Sequence, residues 1–155
     1  MLKRTAQTQA QWRGKSQHID NWLETRKQLL VEYCQLIGQK QDKIPNQLPD
    51  IEMIGHFCNH LVDYVSTGHF RIFDQMTQDC QNYQRVQLLI EELAPTTDAA
   101  LDFYDRFSIL NEQVPLIDFD HELNQLGEKL ELRFSIEDQL LKELYQYIVN
   151  GMQLA

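Results

Sequence analysis

Cysteine is scarce in this 155-residue chain: positions 34, 58 and 80 hold the only three, widely spaced and with no Cys-x-x-Cys pair. An odd, scattered set argues against a disulfide framework or a zinc site and reads as reduced, mostly buried thiols of a cytosolic protein. Six glycines and four prolines are thin punctuation, and no alternating β-branched run lies between turn residues, so no sheet is expected. No apolar run approaches the length that crosses a bilayer. Met1 to Gln17 has no apolar core of the signal-peptide kind, so the chain is expected to stay in the cytoplasm without membrane contact. The motifs GxGxxG, GxxxxGKS/T and GxSxG are absent, and no nucleophile stands beside a base.

What is present is acid and helical periodicity. The net charge is −9, unevenly spread: residues 1–50 balance at +3 and residues 51–155 at −12. An acidic body of this kind repels a phosphate backbone and attracts a basic protein surface, so direct nucleic-acid binding is not expected. The length suits one domain, residues 1–155.

The expected fold class is all-α, an antiparallel bundle of about four long elements with one or two short helices. The first helix is expected over Gln9–Ile37, with an irregularity at Gly14 and an end at Gly38. Its seam is Ile19, Trp22, Arg26, Leu29, Tyr33 and Leu36. A loop over 39–49 follows, with Asp50 as N-cap of a helix over Ile51–Thr67 that Gly68 ends. Phe70, Phe73 and Met76 mark a short helix to about Asp79. A pattern from Tyr83 through Val86, Ile90, Leu93, Thr97, Ala100, Tyr104 and Phe107 holds its phase across Pro95, which predicts one long helix kinked there. Asn111–Leu116 reads as a connector and Asp118 as the cap of a last helix ending at Gly151. Its seam is Leu123, Leu126, Leu130, Arg133, Glu137, Leu140, Leu144 and Tyr147. Trp12 is expected to pack on the bundle end.

Two constellations stand out. Arg26, Arg133 and Glu137 lie on apolar seams, where a charge is costly unless paired, so they are expected to meet one another or an acid such as Asp138. A structural network that fixes helix register and a ligand pocket in the interior both fit. On the second helix Ile54, Phe57, Leu61 and Val65 form the inner face, while His56, His60, Asp63 and Thr67 stack outward. Two His four apart can hold a metal, yet no general-base Glu follows His56 and no Glu-x-x-His pair is present. A solvated face and a partner-binding patch edged by Phe70 and Phe73 are the remaining readings.

Asp20-Asn21-Trp22-Leu23 with Arg26, Leu29-Leu30-Val31 and Leu36-Ile37-Gly38 resemble the first helix of the Rsd/AlgQ family of anti-sigma regulators. Phe57-Cys58, Leu61 to Tyr64 and Ser66-Thr67-Gly68-His69-Phe70 resemble its most recognisable block. Asp102-Phe103-Tyr104-Asp105 is similar to its fourth segment and Leu126 to Asp138 to its last helix. The blocks span nearly the whole chain in the same order. The 39–55 loop and the 80–100 segment depart from the family pattern.

The resemblance implies a helical bundle without enzymatic activity or cofactor. It implies binding to the C-terminal, promoter-reading domain of the primary sigma factor, which keeps sigma from core RNA polymerase and favours alternative sigma factors in stationary phase. Asp63 matches the family aspartate expected to meet an arginine on sigma. With it the expected partner-binding set is His60, Asp63, Ser66, His69, Phe70 and Phe73. A sugar-transport phosphocarrier or a stringent-response enzyme is a further partner implied by the resemblance. A metal- or small-molecule-binding bundle and an adaptor for a signalling enzyme are the alternatives carried forward.

Overall fold

The structure, a computed structural model, describes residues 1–41, 50–74, 83–109 and 118–154. Its helices are α1 (Leu2–Trp12), α2 (Gln17–Gln41), α3 (Ile51–Thr67), α4 (Tyr83–Phe107) and α5 (Phe119–Leu154). A π-helical segment, Gly68–Phe73, follows α3 directly. No strand occurs among the described residues. The expected Met76 turn, the 39–49 loop beyond Gln41 and the 111–116 connector lie outside them, as does Cys80.

The expected first helix is two helices. Gly14 takes φ +78°, a left-handed conformation that glycine adopts freely, and it breaks the chain between α1 and α2. The Asp20 carboxylate accepts from the Gly14 N–H at 3.0 Å and fixes the break. α2 then runs past Gly38, which has nothing near the place a Cβ would occupy, and α5 runs past Gly151. Asp50 caps α3 as expected, its carboxylate accepting from Glu52 N–H at 3.0 Å and Met53 N–H at 3.4 Å.

Gly68 does not stop the helix. Its φ and ψ, −57° and −49°, are helical, and the chain continues into π geometry, with Asp74 N–H reaching back five residues to the His69 carbonyl. The position requires a small residue for a packing reason: a Cβ there would stand 3.0 Å from Trp22 Cζ2. The tight turn expected to present His69 and Phe70 is therefore a continued helix.

α4 is unbroken through Pro95. Just before the proline, the Leu93 carbonyl accepts from the Thr96 and Thr97 hydroxyls at 2.6 and 3.3 Å. Asp118 stands immediately before α5 with φ 67°, and its carbonyl accepts the first bond of the helix from Glu122 N–H at 2.9 Å.

α1 packs on α2, α2 on α3, α3 on α4 and α4 on α5. The ring closes from α2 to α5 through side chains: the Tyr33 hydroxyl donates to the Leu123 carbonyl at 3.1 Å, and Arg26 meets Glu137. The core between them holds Trp22, Leu29, Phe57, Leu61, Phe103, Leu126, Leu130 and Phe134. Trp12 is buried at the bundle end, edge-on to Tyr145 at 5.7 Å. Of the thiols, Cys58 is buried, whereas Cys34 is exposed, against expectation, because it falls on the outer side of α2 beside the Tyr33 seam position.

Candidate functional site

The seam charges meet inside the bundle. Arg26, Arg133 and Glu137 are 0%, 1% and 0% exposed, so every polar atom among them must find a partner within the protein. Arg26 Nη2 donates to Glu137 Oε1 at 3.1 Å, Nη1 to Asp138 Oδ1 at 2.7 Å and Nε to the Tyr64 hydroxyl at 2.9 Å. The Tyr64 hydroxyl donates in turn to Glu137 Oε1. Arg133 Nε binds Glu137 Oε2 at 3.0 Å, one helical turn away. Arg133 Nη1 donates to the Thr96 and Thr97 hydroxyls at 3.1 and 2.8 Å. Two guanidinium groups and two carboxylates balance. The Arg26 guanidinium also lies over the Phe134 and Trp22 rings, at 5.0 and 5.3 Å from their centroids.

Tyr64, Thr96 and Thr97 complete the network and were not singled out from the sequence. A tyrosine or threonine on an inward face signals nothing by itself; only the fully buried charges announce a need for donors and acceptors. Burial works against the charge on Arg26, yet Tyr64, Glu137 and Asp138 more than offset it and hold the guanidinium protonated. Burial, with Glu137 beside it, raises Tyr64 well above its ordinary value, so the phenol stays neutral and serves as a donor.

The opposite side of α3 is wet. His56, His60 and Asp63 are exposed, as are His69 and Phe70 on the π-helical segment, while Ser66 and Thr67 are half-buried. Phe70 keeps 68% of its surface in solvent and lies edge-on to His69 at 4.9 Å. The His60 ring nitrogen Nδ1 is 2.6 Å from Glu32 Oε1 on α2, and His56 is paired loosely with Glu52 at 3.9 Å. Between α2 and α3 lies a groove of about 240 Å³ lined by Thr25, Gln28, His60, Asp63, Tyr64 and Thr67. Asp63 thus stands at a recess and not on a flat face.

Phe73 does not belong with this group. It is 0% exposed and packs edge-on against Trp22 at 5.5 Å, because the helical continuation through Gly68 turns it inward. His60, Asp63, Ser66, His69 and Phe70 remain on or beside the outer face. Among the described residues, no group of three or more His, Cys, Asp or Glu is placed to hold a metal ion. No described helix is long and apolar enough to cross a membrane.

The fold and its interior, a network of charges satisfied by one another and by Tyr64, Thr96 and Thr97, define an all-α bundle held together by a buried polar centre. Over residues 1–145 the chain matches the family described as regulator of RNA polymerase sigma(70) subunit, Rsd/AlgQ. It belongs to that family. The regulator of sigma D of Pectobacterium atrosepticum is 36% identical over 138 residues, 85% of this chain and 90% of that one. Its counterpart from Pectobacterium carotovorum is 35% identical with the same coverage. The regulator of sigma D of Yersinia pseudotuberculosis is 31% identical over 148 residues, 92% of this chain and 88% of that protein.

Proposed function

We propose that this protein binds the C-terminal, promoter-reading domain of the primary sigma factor through the outer face of α3 and keeps sigma from core RNA polymerase. The observation that carries the reading is Asp63, exposed and lining the α2–α3 groove together with the exposed ring of His60, in a member of the sigma(70) regulator family. A carboxylate in a recess, edged by an exposed ring, suits a cationic side chain on a basic partner. The acidic balance of residues 51–155 supports the same polarity and would speed encounter with such a partner. The protein acts by binding, without catalysis, in the cytoplasm, and its titration of sigma favours alternative sigma factors in stationary phase. A phosphocarrier or a stringent-response enzyme would reach the bundle as a further partner.

Calorimetry with the purified C-terminal sigma domain tests this. A 1:1 complex that weakens as salt rises is expected, with Asp63→Ala weaker and Asp63→Arg weaker still. Wild-type affinity in both variants would remove Asp63 from the interface. No binding by the wild-type protein would overturn the function itself.

A further inference from the structure

The α3 face leaves the outer face of the neighbouring α4 without a role. On α4, Leu88, Glu91, Pro95, Asp98, Asp102 and Asp105 recur at alternating spacings of three and four, and all six are exposed. They form one stripe about 26 Å long at the rise of an α-helix. Asp98 and Asp102, then Asp102 and Asp105, are like charges one turn apart, an arrangement that weakens a helix.

No ion pair within the described part of the bundle engages these four carboxylates. The two arginines on α4 both turn to α5: Arg85 to Glu143 at 2.7 Å and Arg106 to Glu122 at 2.8 Å. Leu88 at the head of the stripe is 60% exposed, and Ile109 just past the end of α4 is 87% exposed. Alongside, α4 and α5 part to leave a groove of about 480 Å³, lined by the buried Phe103 and Leu126 and walled by Asp102, Arg106, Glu122 and Lys129. Acid without an ion pair among the described residues, an exposed leucine in the same stripe and a recess with an apolar lining beside it are three separate features of α4.

We propose that the outer face of α4 is a second docking surface, for a basic amphipathic helix of a partner protein. Cationic side chains at helical spacing would meet the stripe, and an apolar side chain of the same helix would enter the groove. A second copy of this chain would set acid against acid, and a nucleic acid would be repelled. None of these residues lines the Asp63 groove, so the two surfaces are built from different side chains.

The test uses the full chain and a synthetic helical peptide of about 20 residues, long enough to cover the stripe. It carries Lys and Leu on one face, and a scrambled peptide of identical composition is the control. Expected are 1:1 binding, amide NMR shifts confined to α4 and the adjoining turn of α5, and weaker binding by the scrambled peptide. Asp98→Asn, Asp102→Asn and Asp105→Asn together should lower affinity about tenfold, the product of three exposed ion pairs. Asp63→Asn should leave it unchanged. Equal binding by the scrambled peptide, wild-type affinity in the triple variant, or shifts centred on α3 would each overturn the proposal. A dimer of the free protein that the triple variant dissociates would assign the face to a second copy and overturn it too.

Discussion

Asp63 and Tyr64 are adjacent on α3 and both line the α2–α3 groove, yet one is exposed and the other is buried. Tyr64 is 2% exposed and its hydroxyl is bonded on both sides, to Arg26 and Glu137. Asp63 is exposed and lines a groove with no ion pair among the described residues. The interior group must be satisfied within the fold, since each unpaired buried atom would cost about 1–3 kcal/mol. The outer group has water as its alternative and is free to exchange it for a partner. One helix therefore carries a region committed to stability and a region available for recognition, one residue apart. Substitutions should separate the two cleanly.

The largest effect is expected at Glu137, where both oxygens are engaged by Arg26, Tyr64 and Arg133. Glu137→Leu leaves two buried guanidinium groups short of an acceptor and should lower stability by about 3–5 kcal/mol. For a chain of this size that is roughly 10 °C in melting temperature. A melting curve that overlays the wild type would show the network to be open to water and the contrast unfounded. Next comes Tyr64→Phe, which keeps the ring stacked on Trp22 and removes only the hydroxyl. Arg26 Nε loses its acceptor and Glu137 a donor, at a cost of about 2 kcal/mol by denaturant titration. Partner binding should be nearly untouched, and a binding loss larger than the stability loss would mean the two regions are coupled.

The sequence makes this interior visible in part. Arg26, Arg133 and Glu137 are legible because a charge on a seam of Leu and aromatics demands an explanation. Asp50 is legible because its carboxylate precedes a strongly periodic helix. α1 is not, because Thr5, Thr8 and Trp12 make a thin inner face in a polar segment and periodicity has little to detect. Phe73 is misplaced for one reason: glycine punctuates chains for two distinct causes. Gly14 supplies a positive φ and breaks the helix, whereas Gly68 supplies room for Trp22 and lets it continue. Composition cannot distinguish those roles; only the neighbour at 3.0 Å does. On the outer face, exposure of His60 and Asp63 follows from helical phase, but the groove beside them depends on how α2 and α3 splay, which no single helix encodes.

A smaller effect sharpens the dry side of the contrast. Burial pushes the Cys58 thiol up to about 12 from 9.0. An acid whose folded value is raised contributes nothing to the pH slope below its unfolded value. Above it, the unfolded chain releases a proton that the fold retains, so stability falls as pH rises. The slope is at most about 1.4 kcal/mol per pH unit, beginning near pH 9. Chemical denaturation at pH 8, 9 and 10 should show the decline, and Cys58→Ala should flatten it after correction for its own constant loss of packing. An unchanged slope in the variant would mean that water reaches the thiol. Tyr64, raised in the same sense, adds its own decline only at higher pH.

The smallest expected change in stability is at Asp63, and it is the sharpest test of the division. An exposed side chain with no ion pair among the described residues should be removable within about 0.5 kcal/mol. Asp63→Ala also swaps in a better helix former, which offsets part of any loss. Measured by calorimetry and denaturation on one preparation, the variant should bind the C-terminal sigma domain more weakly while its midpoint stays with the wild type. If instead its unfolding midpoint falls as far as that of Tyr64→Phe, the groove wall is holding α2 to α3. Asp63 would then belong with the interior group, and weakened binding would follow from a loosened scaffold in place of a lost contact.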